Sequence, residues 1–159
     1  MSDLQQAVAF RMNIGRHLTQ LSQLTGSLVK QEMLLSVKDT ESERERAKMI
    51  EFAPAHHAAV GFPERSSARF QQLIAALRKM NPSKVYIWTP LSNVCGVLRP
   101  VPLGNIRWDF EFDLIPEGIL ILLTEDLCDK MLLDFSENSA MRQELEIELS
   151  GQHWGTCSL

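Results

Sequence analysis

The sequence predicts an α+β domain, with N-terminal helices packed on a mostly antiparallel meander sheet of five or six strands. Three observations predict it. Apolar residues recur every three or four positions through residues 3–36 and 63–80, the period of a helix with one buried stripe. From Lys84 onward the period shortens to two and the apolar residues become β-branched and aromatic, as in strands that bury one face. The gaps between those later runs are too short for helical crossovers, so consecutive strands pair as hairpins and the helices segregate to one face. The 159 residues read as a single domain, 1–159, with 1–80 mainly a helical layer and 83–150 the sheet. A chain of this length buries about two-thirds of the surface its unfolded form exposes, so it needs neither disulfide nor metal to fold.

The first helix rests on Leu4, Val8, Ile14, Leu18, Leu21, Leu24 and Leu28, with Asp3 as its N-cap. Gly15 and Gly26 each cost about 1 kcal/mol relative to Ala in a helix interior. One helix over 3–36 or two with a break near Gly26 both fit. The stripe serves as a core face or as a seam for a homodimer through the N-terminal helix. The charge run Lys38–Lys48 reads as a solvated helical turn or loop, and 53–62, with Pro54 and Gly61, as a connector. Residues 63–80 carry the clearest signals: Pro63 at the first helical position, Glu64 near the positive end of the dipole, Arg78 and Lys79 near the negative end. Phe70, Leu73, Ile74, Leu77 and Met80 form its stripe, and Asn81-Pro82 stops it. Six strands are expected after it: Val85–Trp88, Val94–Arg99, Ile106–Phe112, Gly118–Thr124, Lys130–Phe135 and Gln143–Leu149, separated by Pro, Gly, Asn, Ser and Asp.

Charge is uneven along the chain. Residues 1–80 hold 11 Lys and Arg against 8 Asp and Glu, a surplus of +3, whereas residues 81–159 hold 5 against 12, a deficit of −7. An acidic second half disfavours nucleic acid and favours a basic protein surface or a cation. No basic region leads into an apolar run after Met1, and the longest wholly apolar run, Ile119–Leu123, is far below the roughly 18 residues of a membrane span. The expected compartment is the cytoplasm, with no membrane partner. There Cys95, Cys128 and Cys157, which form no CxxC pair, stay reduced.

Catalytic and metal signals are sparse. His56 and His57 are adjacent and point apart in any regular element; His153 and Cys157 are spaced for a helical zinc pair, but Gly155 intervenes and no second pair exists. No cofactor or metal is expected. None of the short motifs G-x-S-x-G, P-loop, G-x-G-x-x-G or H-E-x-x-H is present. A hydrolase using His56 or His57 with a carboxylate or cysteine is the weakest of the alternatives, and a small-molecule sensing domain with an apolar pocket between helices and sheet is the other.

The carboxylates are the remaining signal. Asp109, Glu111 and Asp113 alternate with Trp108, Phe110 and Phe112, and Glu144, Glu146 and Glu148 alternate with Leu145, Ile147 and Leu149. Two strands with three outward acids each predict an acidic sheet face, and like charges opposed across strands destabilise the pair. Such repulsion is relieved by a cationic partner. Trp108 beside the acids is the expected apolar anchor, and the leading function is non-enzymatic protein binding.

The segment Pro116–Asp126 followed by Met131–Phe135 resembles the hairpins of small bacterial immunity proteins that neutralise polymorphic or contact-dependent toxins. The resemblance covers about the last third of the chain. It implies a cytoplasmic, non-catalytic, antitoxin-like protein that holds a basic cognate toxin through an acidic face.

Overall fold

A computed structural model describes residues 2–52 and 55–157. The described residues form four helices and a five-stranded antiparallel sheet. Helix α1 runs Asp3–Thr25, with Ser2, not Asp3, as its cap: the Ser2 hydroxyl accepts from Gln5 N while the Gln5 side chain accepts from Ser2 N. Gly26, at φ 66°, ends it in the left-handed region, so of the two arrangements left open the chain takes the one with a break here, and turns away. Leu21 and Leu24 face the core, whereas Leu4, Val8 and Met12 near the other end stand in solvent.

The charge run is a full helix, α2 (Val37–Lys48), capped by Ser36. Its acids and bases pair along the helix. Arg44 with Glu41, Arg46 with Glu43 and Lys48 with Glu45 pair at i, i+3, at 3.6, 2.9 and 2.9 Å. Its one buried residue, Thr40, accepts from Val97 N at 2.9 Å and thereby fixes the helix to a distant segment.

The expected connector over 53–62 is instead an edge strand, β1 (Ala55–Gly61), paired antiparallel with the last strand; residues 53 and 54 lie outside the described residues. Its run of small residues hid it, since alanine carries no strand signature and the ladder partner is some ninety positions away. Pro63 begins a single 3-10 turn, Phe62–Ser66, and the helix proper, α3 (Ala68–Met80), is capped by Ser67. Phe70, Ile74 and Leu77 bury its stripe against the sheet.

Four strands follow: β2 (Val85–Trp88), β3 (Ile119–Thr124), β4 (Asp129–Glu137) and β5 (Gln143–Gly151), with β1 added at the far edge in the order β1-β5-β4-β3-β2. Two expected strands are absent from the sheet. Val94–Arg99 opens with a short helix, α4 (Ser92–Cys95), because Thr89 N donates to Ser92 Oγ and Leu91 N to Thr89 Oγ1, which closes a turn locally. Its later backbone pairs with the α1–α2 region: Leu35 N donates to Val97 O, and the buried His17 ring to Gly96 O at 2.8 Å. Ile106–Phe112 is an extended loop. Trp108 and Phe110 are buried and Asp109 and Glu111 exposed, as the alternation predicts, yet the loop joins no ladder; Arg107 N donates to Leu24 O, and Phe110 O accepts from Arg65 Nη2.

The main core lies between α3, the end of α1 and the inward residues of the strands, among them Ile87, Leu122, Met131, Leu133, Ile147 and Leu149. A second, smaller core lies on the other face, where Tyr86 and Leu123 meet Leu35, Ala47 and Phe52. Helix α2 thus covers one end of the outer face rather than joining α3 and the end of α1 on the inner side.

Candidate functional site in the outer face of the sheet

Register determines what the outer face presents. One row of directly opposed residues crosses all five strands: Trp88, Ile121, Leu132, Glu148, His57. The next row reads Ile119, Asp134, Glu146, Ala59. The face turns from apolar at β2 and β3 to acidic at β5, through Leu132 of β4 in the first row and Asp134 of β4 in the second.

The acidic end keeps Glu144, Glu146 and Glu148 on the solvent side because Leu145, Ile147 and Leu149 fill the core. Asp134 opposes Glu146 directly, which brings two like charges to roughly 5 Å between Cβ atoms. Compensation is slight: Asn138 Nδ2 donates to Glu144 at 2.6 Å, and His57 Nδ1 stands 3.7 Å from Glu148. Among the described residues no Lys or Arg forms an ion pair with Asp134, Glu144, Glu146 or Glu148. A shallow depression of about 450 Å³ lies here, lined by His57, Leu132, Asp134, Glu146 and Glu148.

At the apolar end, α2 stands beside the sheet and leaves a groove of about 630 Å³ over Trp88, Ile119 and Ile121. Ile119 is 43% exposed, and Lys130 Nζ lies 5.0 Å from the centroid of the Phe52 ring. Sequence reasoning missed Asp134, Trp88, Ile119 and Lys130 as site residues. For Asp134 the signal was present, since Lys130, Leu132 and Asp134 alternate with Met131, Leu133 and Phe135.

The first carboxylate triplet does not belong to this face. The loop bearing Asp109, Glu111 and Asp113 lies on the helix side, where Phe110 packs on Phe62 and on the inward Phe135 at 5.8 and 5.5 Å between centroids. Asp109 is already matched, 2.8 Å from Arg107, whose hydrogen bond holds its carboxyl below the usual range. Arg65, stacked 3.8 Å over Phe62, adds a second positive charge near Asp109 and Glu111. Nor is Trp108 a surface anchor: it is 6% exposed and set edge-on to Phe70. The two triplets therefore occupy opposite sides, and the expected six-acid face reduces to Glu144, Glu146 and Glu148 with Asp134 in place of the loop acids.

His56 and His57 point to opposite faces, as adjacent strand residues must. A separate polar cluster surrounds the fully buried Asp129. Its carboxylate accepts from Asn81 Nδ2 at 2.7 Å and from His153 N, Trp154 N and His153 Nδ1, each at 2.8 Å. Four donors satisfy the buried charge and tie the C-terminal turn to the end of α3, where Trp154 Nε1 also donates to Leu77 O. The carboxylate orients the imidazole, as a triad acid does. However, burial and the Asp126 carboxylate push the neighbouring Cys128 thiol up, the reverse of nucleophile activation. Among the described residues no His, Cys, Asp and Glu cluster has metal-binding geometry, and no helix is long and apolar enough to cross a membrane.

No family model matches this chain, and neither a curated protein nor a solved structure does.

Proposed function

We propose that the protein is a non-enzymatic binding module whose outer sheet face captures a basic protein partner, in the manner of a cytoplasmic immunity protein that neutralises a cationic toxin. The direct opposition of Asp134 and Glu146 carries this reading. A folded sheet gains nothing from two facing carboxylates flanked by Glu144 and Glu148, and a partner's Lys or Arg removes the repulsion. The apolar row beside the acids supplies contacts that lengthen the life of the complex, while the field of the strip speeds encounter. Self-association through α1 belongs to the same reading, since Leu4, Val8 and Met12 form an exposed apolar stripe.

The test is affinity capture from the native host with the wild-type chain and with an Asp134→Lys, Glu146→Lys double variant as parallel baits. A basic protein retained by the first, released by salt and absent from the second is the expected result. Equal recovery on both baits overturns the proposal.

A further inference from the structure

We propose that the groove between α2 and the outer face is a binding site for a free amphipathic carboxylate, a fatty-acid-like anion with its chain on Ile119 and Ile121 and its head toward Lys130 and Arg44. This inference does not rest on the acidic strip, which adjoins the groove where Asp134 opposes Ile119.

Three observations converge on the groove. Its volume of about 630 Å³ falls within the range of small-molecule sites, and its floor and rim are apolar, with Ile119 43% and Ile50 36% exposed. Two of its lining residues carry buried donor atoms that meet no acceptor among the described residues: Trp88 Nε1 and Arg44 Nε. Lys130 adds an ammonium that rests on the Phe52 ring, with no carboxylate within ion-pair distance among the described residues. Buried donors without acceptors are costly, and a ligand that brings an acceptor removes that cost.

Charge determines the head group. Arg44, Lys48 and Lys130 line the groove against one acid, Glu117; Glu117 pairs with Arg16, Arg44 with Glu41 and Lys48 with Glu45, which leaves Lys130 as the lining cation in no ion pair among the described residues. The groove therefore has the opposite sign to the strip, so a cationic partner suits one end of the face and an anion the other. A single chain fits between α2 and the sheet, whereas an anionic lipid surface meets repulsion from Asp134 and Glu146 next to it.

The test uses the intact chain, titrated by calorimetry with dodecanoate and with dodecyltrimethylammonium below their micellar concentrations. Quenching of tryptophan fluorescence by 11-bromoundecanoate gives a local readout. Trp88 lines the groove, while Trp108 and Trp154 are buried in the main core. Saturable one-to-one binding of dodecanoate but not of the cation is expected, weakened about tenfold by Lys130→Met and unchanged by Lys79→Met, an exposed residue of α3 outside the groove, with quenching abolished by Trp88→Phe. If Trp88→Phe loses its thermal transition, Ile121→Lys, in the outward row, takes its place and must abolish dodecanoate binding. Any of four results overturns the proposal: no saturable binding, equal binding of both head groups, quenching that survives loss of Trp88, or association with phosphatidylcholine vesicles alone.

Discussion

The loop 106–113 and the strand β5 carry the same pattern, three acids interleaved with three apolar residues, and the structure puts it to different uses. In β5 the apolar members fill the core and the acids stand in a ladder, where each acquires an opposite neighbour on both sides. In the loop the apolar members also fill the core, but the backbone partners are Leu24 O and the Arg65 guanidinium, and Asp109 and Glu111 find Arg107 and Arg65. Alternation reports that one side of an extended segment is buried; it does not report whether a second strand lies alongside. Neither does it reveal the company each charge keeps, which depends on residues remote in sequence.

The largest effect that can break this comparison is on packing. If the loop is as much a core element as β5, Phe110→Ala, at 4% exposure among Phe62, Phe112 and Phe135, costs about 3–5 kcal/mol. That is the range expected for truncating Ile147 or Leu149. Chemical denaturation measures it, and a loss below about 1 kcal/mol assigns the loop to the periphery and dissolves the parallel.

Most of the fold was legible for a physical reason. Strands β3, β4 and β5 pair with sequence neighbours through short turns, and α3 and the C-terminal half of α1 bury periodic stripes, so local pattern carried the information; β2 reaches β3 only across residues 89–118. The exceptions share a cause. β1 is read from its ladder partner rather than from its alanines; α4 is closed by Thr89 and Ser92 side chains; and the loop 106–113 is held by Arg65 and Leu24. Each depends on contacts made at long range or by side chains onto backbone. The site followed the same rule. Glu144, Glu146 and Glu148 were legible from their own strand, whereas the opposition with Asp134 and the groove beneath α2 exist only after the register and the second core have formed.

Acid is the next lever, and it sharpens the comparison by setting the range in which it can be made. His17 is fully buried; desolvation lowers its pKa below the ordinary 6.5, and the hydrogen bond to Gly96 O offsets this only in part. Above about pH 6.5 the ring is neutral in both folded and unfolded chains and contributes no pH dependence. As pH falls below that value the unfolded chain takes the proton first, so stability declines until the lower folded pKa is passed. His17→Gln flattens this limb of the stability–pH curve. An unchanged slope removes His17 as its cause, and the charge comparisons that follow belong above this window.

A smaller effect bears on the strip alone. Glu146→Lys replaces the opposition with Asp134 by an attraction and stabilises the fold by about 0.5–1 kcal/mol, a sign opposite to the usual one for substitution in a strand. Thermal denaturation at neutral pH reads it. A loss of stability shows that Asp134 is compensated in solution, and the argument from the strip then fails.

The smallest effect contrasts both regions within one measurement, because salt acts on them with opposite signs. Asp109 is attracted to Arg107, so Asp109→Asn lowers the melting midpoint slightly at low salt. Glu146 is repelled by Asp134, so Glu146→Gln raises the midpoint under the same conditions. Raising ionic strength from about 0.01 M to about 0.5 M shortens the screening length from about 30 Å to a few ångströms, and both differences shrink toward zero from opposite directions. Two shifts of the same sign at low salt mean that the two triplets do not differ in how their charges are compensated; in that case the distinction between a self-neutralised loop and an expectant strand is wrong.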